Sequence, residues 1–270
     1  MSRAFCSMPS DSGSQTRSSP VRRGASENTA ALSREPRNVQ KIDQQLLDLV
    51  EELVGGKGRI RLLEAGCGAR SYFRFRGEVE AFGIDISAEE LSKNANLQHK
   101  ILGDIQTHDL PRNYFDVVIC WDVLEHLSQP RLALENMFSS LKPNGVLILG
   151  FPNPMSFKGI VTKLTPAWVH ALFYRQLFGY TSTAFRTYMR HAILPKRIGQ
   201  FARQHGMVQE YLRLEEGRIQ RSVRDRFAVL GALLSLIQFC VRLFTFGRGP
   251  CLYLDSCTMI LRRKGDKPLP

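Results

Sequence analysis

Apolar residues recur at Ile42, Leu46, Leu49, Val50 and Leu53, the spacing of one helix face, and Gly55 and Gly56 follow where such a helix would stop. Beyond them the pattern changes. Short apolar runs occupy 60–65, 81–86, 99–103, 115–120 and 145–151, the lengths expected of buried strands. Helical patterns separate most of these runs. "SAEE" at 87–90 has the form of a capping box, with Ser87 as the cap and Glu90 reaching back to it. Leu134, Met137, Phe138 and Leu141 mark the buried stripe of a helix that ends before the turn "KPNG". Strands alternating with helices predict an α/β fold built on a parallel sheet with right-handed crossovers.

After the fifth strand the pattern loosens. Residues 151–180 are apolar and aromatic but interrupted by prolines. Pro195 opens a helix over 195–205 and Gly206 ends it, the usual asymmetry of proline at the start and glycine after the end. Two further strands are expected at 207–214 and 252–262. Between them lies the apolar stretch "FAVLGALLSLIQFCVRLFTF" (227–246), in which Ser235, Gln238, Arg242 and Thr245 gather into one narrow polar stripe.

Composition narrows the class of protein. At 270 residues, 43% hydrophobic and 23% charged, the chain is that of an ordinary soluble protein with one sizeable core. Its six cysteines show no C-x-x-C spacing, which suggests neither a zinc cage nor a disulfide framework. The formal charge of +12 is uneven: residues 1–40 carry 6 basic and 3 acidic groups, 41–150 carry 12 and 16, and 151–270 carry 19 and 6. A field of that sign in the last segment attracts phosphates, whether of lipid, nucleic acid or an acidic substrate. Residues 1–38 are rich in Ser and Arg, with three prolines and little periodicity, and read as a disordered tail. An organelle transit peptide, and hence a mitochondrial location, is the secondary reading of the same segment. No apolar signal-peptide run is present, so a cytoplasmic location is expected.

The candidate chemistry lies at the strand ends. In a parallel α/β sheet, ligands lie beyond the carboxyl ends of the strands, near the point where strand order reverses. "LLEAGCG" (62–68) ends the first strand there, and Gly66 and Gly68 allow the backbone to approach a ligand closely. Asp85 closes the second strand, suitably placed to accept hydrogen bonds from ribose hydroxyls, and Asp104 closes the third. The third glycine of a dinucleotide loop is absent and Arg70 stands nearby. A nucleoside cofactor without a pyrophosphate therefore fits better than NAD.

The stretches "LLEAGCG", "FGIDIS", "LGDI", "FDVVICWDVLEHL" and "LKPNGVLILGFPNP" follow one another in an order that resembles the class I S-adenosylmethionine-dependent methyltransferases. The likeness is greatest to the ubiquinone and menaquinone biosynthesis (methyltransferase type 11) group. It implies a Rossmann-like fold: a mostly parallel seven-stranded sheet with helices on both faces and an inserted helical cap. By position, Glu64, Gly66 and Gly68 would surround the methionine part of S-adenosylmethionine. Asp85 would hold the ribose with Ile86 against the adenine, and Asp104 would take the adenine amino group with Ile105 beside it. Cys120 and Trp121, just past the fourth strand, would flank the sulfonium. Two departures stand out: Arg70 in place of the frequent third glycine, and only twelve residues between Gly68 and Ala81, which leaves room for a short or irregular first crossover.

His126 in "DVLEH" follows the fourth strand, and histidine is the residue type best suited to act as a base at neutral pH. The competing reading is that Glu125 and His126 open a helix and bond to structural loops. Asp122, Glu125 and His126, at i, i+3 and i+4, would share one helix face, but no metal is assigned. The expected organisation is a tail (1–38) and one methyltransferase domain (39–270). The domain comprises a cofactor-binding core (60–151), a substrate lid (152–194) and an apolar, basic helical insertion (215–251). Phe157, Ile160, Val161 and Leu164, then Trp168, Leu172, Phe173 and Phe178, give the lid an apolar lining that favours a lipophilic small-molecule acceptor such as a quinone, polyketide or terpenoid, methylated on oxygen.

Residues 218–248 combine an apolar helix with arginines, which suits peripheral contact with an anionic membrane; a dimer interface or packing on the lid is the alternative. A nucleic-acid methyltransferase is the second functional reading, disfavoured because the basic residues sit among apolar helices and no RNA-binding motif occurs. A non-catalytic methyltransferase-like partner protein is the third. The oligomeric state is not encoded in any of these patterns.

Overall fold

The computed structural model describes residues 44–54, 58–71, 75, 77–165, 187–217, 221, 228–246, 249 and 251–265. The tail expected over 1–38, and Trp168, Leu172, Phe173 and Phe178 of the lid, lie outside the described residues. The fold is that of the unit Ile42–Pro270.

Helix α1 (Gln44–Val54) precedes strands β1 (Arg59–Ala65) and β2 (Glu78–Asp85), helix α2 (Ala88–Lys93) and strand β3 (His99–Leu102). Strand β4 (Phe115–Trp121) leads through a single 3₁₀ turn, Leu124–His126, into α3 (Pro130–Ser140) and β5 (Leu141–Pro152). Helices α4 (Phe157–Leu164) and α5 (Pro195–Gln204), strand β6 (Met207–Glu215), helix α6 (Ala228–Phe244) and strand β7 (Ser256–Arg263) complete it. The seven strands form one sheet in the order β3-β2-β1-β4-β5-β7-β6. Strands β1 to β5 run parallel, and β7 is antiparallel to both of its neighbours. Strand order reverses between β1 and β4, which puts the ligand crevice at their carboxyl ends.

The sheet is covered on both faces, which explains the uninterrupted apolar run of β4. Val117, Ile119 and Trp121 pack with Leu46, Val50 and Val54 of α1, together with Ile60, Leu62 and Ile148. Val118 and Cys120 point the other way, into a larger cluster with Leu134, Met137 and Phe138 of α3 and Ile198 and Ala202 of α5. This alternation is the two-residue period of a strand, with both faces buried.

Three local expectations change. The Ser87 hydroxyl accepts from the Glu90 N–H at 3.2 Å, as a cap should, but the Ser87 N–H is taken by the Asp85 carboxylate at 2.8 Å. The reciprocal half of the capping box is thus supplied from β2, because the strand end already places a carboxylate there. "KPNG" lies inside β5 as an irregularity: pairing with β4 shifts register after Phe115–Leu141, and Asn144 takes φ 61°. The last strand begins at Ser256, since residues 252–253 form a turn. Between Gly68 and Ala81 the described residues contain turns and the start of β2 but no helix, as a crossover of twelve residues permits.

Gly150 of β5 lies directly over the Trp121 ring, where an added Cβ would come within 2.3 Å of ring carbon. Gly150→Ala should therefore destabilise the fold by about 1–3 kcal/mol through overpacking. Calorimetry should show this as a fall in Tm of roughly 3–8 °C.

Candidate active site

At the end of β1 the chain makes two consecutive left-handed excursions, Gly66 at φ 69° and Gly68 at φ 49°. Their reasons differ. A Cβ at Gly66 would meet Val123 Cγ2 at 2.3 Å, so the loop after β1 is packed against the loop after β4. A Cβ at Gly68 would meet nothing within 4 Å, so this glycine borders open space and is needed for its backbone conformation.

The loop is clamped by Asp85 and Asn94. Asp85 Oδ2 accepts from the Gly68 N–H at 2.8 Å while Oδ1 accepts from Ser87. Asn94, fully buried at the end of α2, donates to the carbonyls of Cys67 (3.4 Å) and Gly68 (3.3 Å). Asn94 escaped the sequence reading; its one signal is a polar residue directly after a capped helix. Beside Asp85, Ile86 is 68% exposed, and Leu102 at the end of β3 is 59% exposed. Large apolar side chains thus stand open beside the strand-end carboxylates. Asp104 is oriented by Gln106, whose backbone and side-chain N–H groups reach its carboxylate at 2.9–3.1 Å. The Gln106 carbonyl in turn accepts from Ser128 and Gln129, which ties the β3 end to the β4 end.

Glu64 is buried in β1, and its Oε2 has no hydrogen-bond partner among the described residues. Burial pushes its carboxyl up to about 7, against a smaller opposing effect of the Ser71 hydrogen bond. A buried carboxyl with one oxygen unpaired, directly beneath a glycine loop, suits a cationic ligand group.

Other expected residues take different places. Ile105 is buried in the main core cluster, so its side chain does not line the crevice beside Ile86. Cys120 and Trp121 are the last two residues of β4 and do not lie past it. Cys120 is wholly buried, with its thiol held above the usual range by burial, and Trp121 packs on the α1 face. Two-residue alternation turns them to opposite faces of the sheet, each buried in a different core cluster.

The chain leaves β4 through Asp122, at φ 54°, whose N–H donates to the Gly150 carbonyl at 2.9 Å. Asp122, Glu125 and His126 do not share an α-helical face, because this left-handed residue and a single 3₁₀ turn take the helix's place. Among the described residues, no group of three His, Cys, Asp or Glu side chains could hold a metal ion. Glu125 is buried and its Oε2 has no partner among the described residues. Burial first, then the negative charge of Asp122, raises its carboxyl to about 8. The Asp122 carboxyl is raised as well by loss of water, although Lys158 of α4 and His126 oppose the shift. Lys158 also lies 3.8 Å from the buried Asp255, so α4 brings a cation to an acidic patch. His126 Nδ1 is 3.5 Å from Thr187 Oγ1, and the Glu125 carbonyl accepts from the Tyr188 N–H at 2.8 Å. Lys158 and Thr187 are distant in sequence, and only the fold brings them here.

The family described as "Methyltransferase domain" matches residues 38–192, more than half of the chain. The mitochondrial ubiquinone biosynthesis O-methyltransferase of Schizosaccharomyces pombe is 35% identical over 102 residues, covering 33% of this chain and 36% of that protein. Human thiol S-methyltransferase TMT1B is 26% identical over 126 residues, covering 41% and 50%. The chain spans between 36% and 65% of the length of the curated relatives it matches. In fold it is similar to phosphoethanolamine N-methyltransferase 2 of Haemonchus contortus, solved with phosphomonomethylethanolamine and S-adenosylhomocysteine. That likeness has a TM-score of 0.51 at 14% identity and covers 83% of this chain and 53% of that one. With its strand order, its antiparallel β7 and the glycine loop facing Asp85, the chain belongs to the methyltransferase domain family and has the class I methyltransferase fold.

Proposed function

We propose that the protein transfers the methyl group of S-adenosylmethionine to an oxygen of a lipophilic small molecule. The observation that carries the cofactor assignment is Glu64: buried, with one oxygen unpaired among the described residues, at the base of a loop in which Gly68 borders open space. Bound there, the cofactor supplies a sulfonium-activated methyl group for direct displacement. Glu64 would meet the ammonium group of its methionine part. Asp85 would accept from the ribose hydroxyls: each of its oxygens already takes one backbone N–H and retains further acceptor capacity. Asp104 would meet the adenine amino group, with Ile86 against the ring.

Asp85 and Asp104 are held by hydrogen bonds within the protein, and most of the acceleration of such a displacement can come from positioning and exclusion of water. His126, steadied by Thr187, would take the proton of the acceptor hydroxyl. Burial and the nearby Asp122 raise the Glu125 carboxyl and so disfavour its charged form, which leaves that task to the imidazole. The acceptor assignment is supported by the apolar face of α4, where Val161 and Leu164 are exposed, and by relatives named as ubiquinone biosynthesis O-methyltransferases.

Isothermal calorimetry should detect S-adenosylmethionine binding, and no heat at about millimolar cofactor would overturn the assignment. Burial raises the Glu64 carboxyl to about 7, and a bound cation favours its ionised form. Affinity should therefore rise as pH increases toward about 7 and level off above it; Glu64→Gln should remove this slope and weaken binding about tenfold or more. With a phenolic quinone precursor as acceptor, mass spectrometry should show the gain of one methylene. His126→Ala should lower kcat by about 10²–10⁴ while cofactor affinity stays the same. An unchanged kcat would remove His126 from the proton-transfer role.

A further inference from the structure

Helix α6, inserted between the last two strands, carries its polarity inside out. Its polar side chains are engaged by the loop that leads into β7. Gln238 is buried, and its Oε1 accepts from the Leu252 N–H at 2.6 Å. The Ser235 hydroxyl meets the Tyr253 hydroxyl at 2.9 Å, and just past the helix Thr245 Oγ1 accepts from the Gly249 N–H at 2.8 Å. The opposite side presents Val229, Leu233, Leu236, Phe239, Leu243 and Phe244, which are 52–86% exposed, and Phe246 beyond them is 89% exposed. At 3.6 residues per turn, the six helical side chains cover roughly 140° of the circumference. Scattered exposed apolar residues are ordinary, but a continuous stripe of them marks a contact surface.

The charges that precede and follow this helix in the sequence indicate what covers it. From residue 218 to residue 248 the sequence has six arginines against the single acid Asp225, and no acidic residue occurs between Asp225 and Asp255. Arg242 is exposed on α6 itself, at the flank of the apolar face. A second copy of this surface would bring two such clusters of like charge together. A nucleic acid would satisfy the arginines and leave the aromatic and aliphatic face in water.

The helix has 17 residues, about 26 Å at 1.5 Å per residue, which is short of a hydrocarbon core of about 30 Å. Among the described residues no helix is long and apolar enough to cross a membrane. One side of α6 is also committed to the loop at 249–253. We propose that α6 lies in the surface of an anionic lipid bilayer, its apolar face among the acyl chains and its flanking arginines at the headgroup phosphates. The docking is independent of the catalytic assignment, because it uses no residue of the crevice.

Flotation of the full chain should be compared between vesicles of phosphatidylcholine alone and vesicles with about 30 mole per cent phosphatidylserine. Binding should favour the anionic vesicles by about tenfold or more and weaken when salt is raised to about 0.5 M. The triple substitution Leu236→Ser, Phe239→Ser, Leu243→Ser should reduce it by about tenfold or more with an unchanged Tm, since these side chains are exposed. In the separate variant Phe239→Trp, the new indole should shift to shorter emission wavelengths on anionic vesicles and be quenched by brominated acyl chains. Equal binding by the wild type and the triple variant, or an unquenched indole, would overturn the proposal. So would a dimer in sedimentation that the triple substitution converts to monomer, without vesicle binding by the wild type; the helix would then be a protein interface.

Discussion

The carboxylate of Asp85 is the interaction on which the crevice depends. One oxygen holds the Gly68 N–H and so fixes the glycine loop after β1; the other holds the Ser87 N–H and so fixes the start of α2. A carboxylate accepting from backbone N–H groups makes charge-assisted hydrogen bonds, stronger than neutral ones. Two segments distant in sequence, the glycine loop and the turn from β2 into α2, meet at one charged group, and Asn94 closes the circuit from the far end of α2. Because both glycines have positive φ, the loop has little local preference for this shape and takes it from these contacts.

Around this frame burial disfavours the charged forms of Glu64 and Glu125. Glu64 and Glu125 lie in the protein interior, each with an oxygen unpaired among the described residues, and burial raises both. Their uses differ because their neighbours differ. Glu64 borders the open loop, where a cation can reach it. Glu125 belongs to the 3₁₀ turn, with Asp122 nearby, and its backbone carbonyl holds the segment that carries Thr187. Arrangements that separate the titration of neighbouring acids are typical of sites that must position charge in a dry environment.

Helix α6 follows the opposite logic to a helix of a soluble core. Its hydrogen-bonding groups face protein and its hydrocarbon faces outward, so the fold satisfies the polar atoms and leaves the apolar surface for an external partner. The catalytic crevice and this outer helix stand on different parts of the chain, and β7 connects them: the loop that engages α6 runs directly into the antiparallel strand beside β5. A lipophilic acceptor and a bilayer-seated enzyme would be compatible for the plain reason that both concern molecules that partition out of water.

The sequence by itself determined the strand and helix alternation, the glycine loop, and the three strand-end acids Glu64, Asp85 and Asp104. These follow from local periodicity and from residues with sharp conformational preferences, which need no distant partner to be read. Side-chain direction needed the tertiary structure. Cys120 and Trp121 looked adjacent to the chemistry, yet pleating turns them to opposite faces of a sheet buried on both sides. Ile105, in the turn after β3, is buried in the main core cluster, which its position beside Asp104 does not reveal. Asp122, Glu125 and His126 have helical spacing, but a left-handed residue at the end of β4 breaks that geometry. The polar stripe of α6 was legible, but which side of it faces protein was decided by the Leu252 N–H and the Tyr253 hydroxyl. Spacing along a chain reports which residues share a face; only packing decides what that face meets.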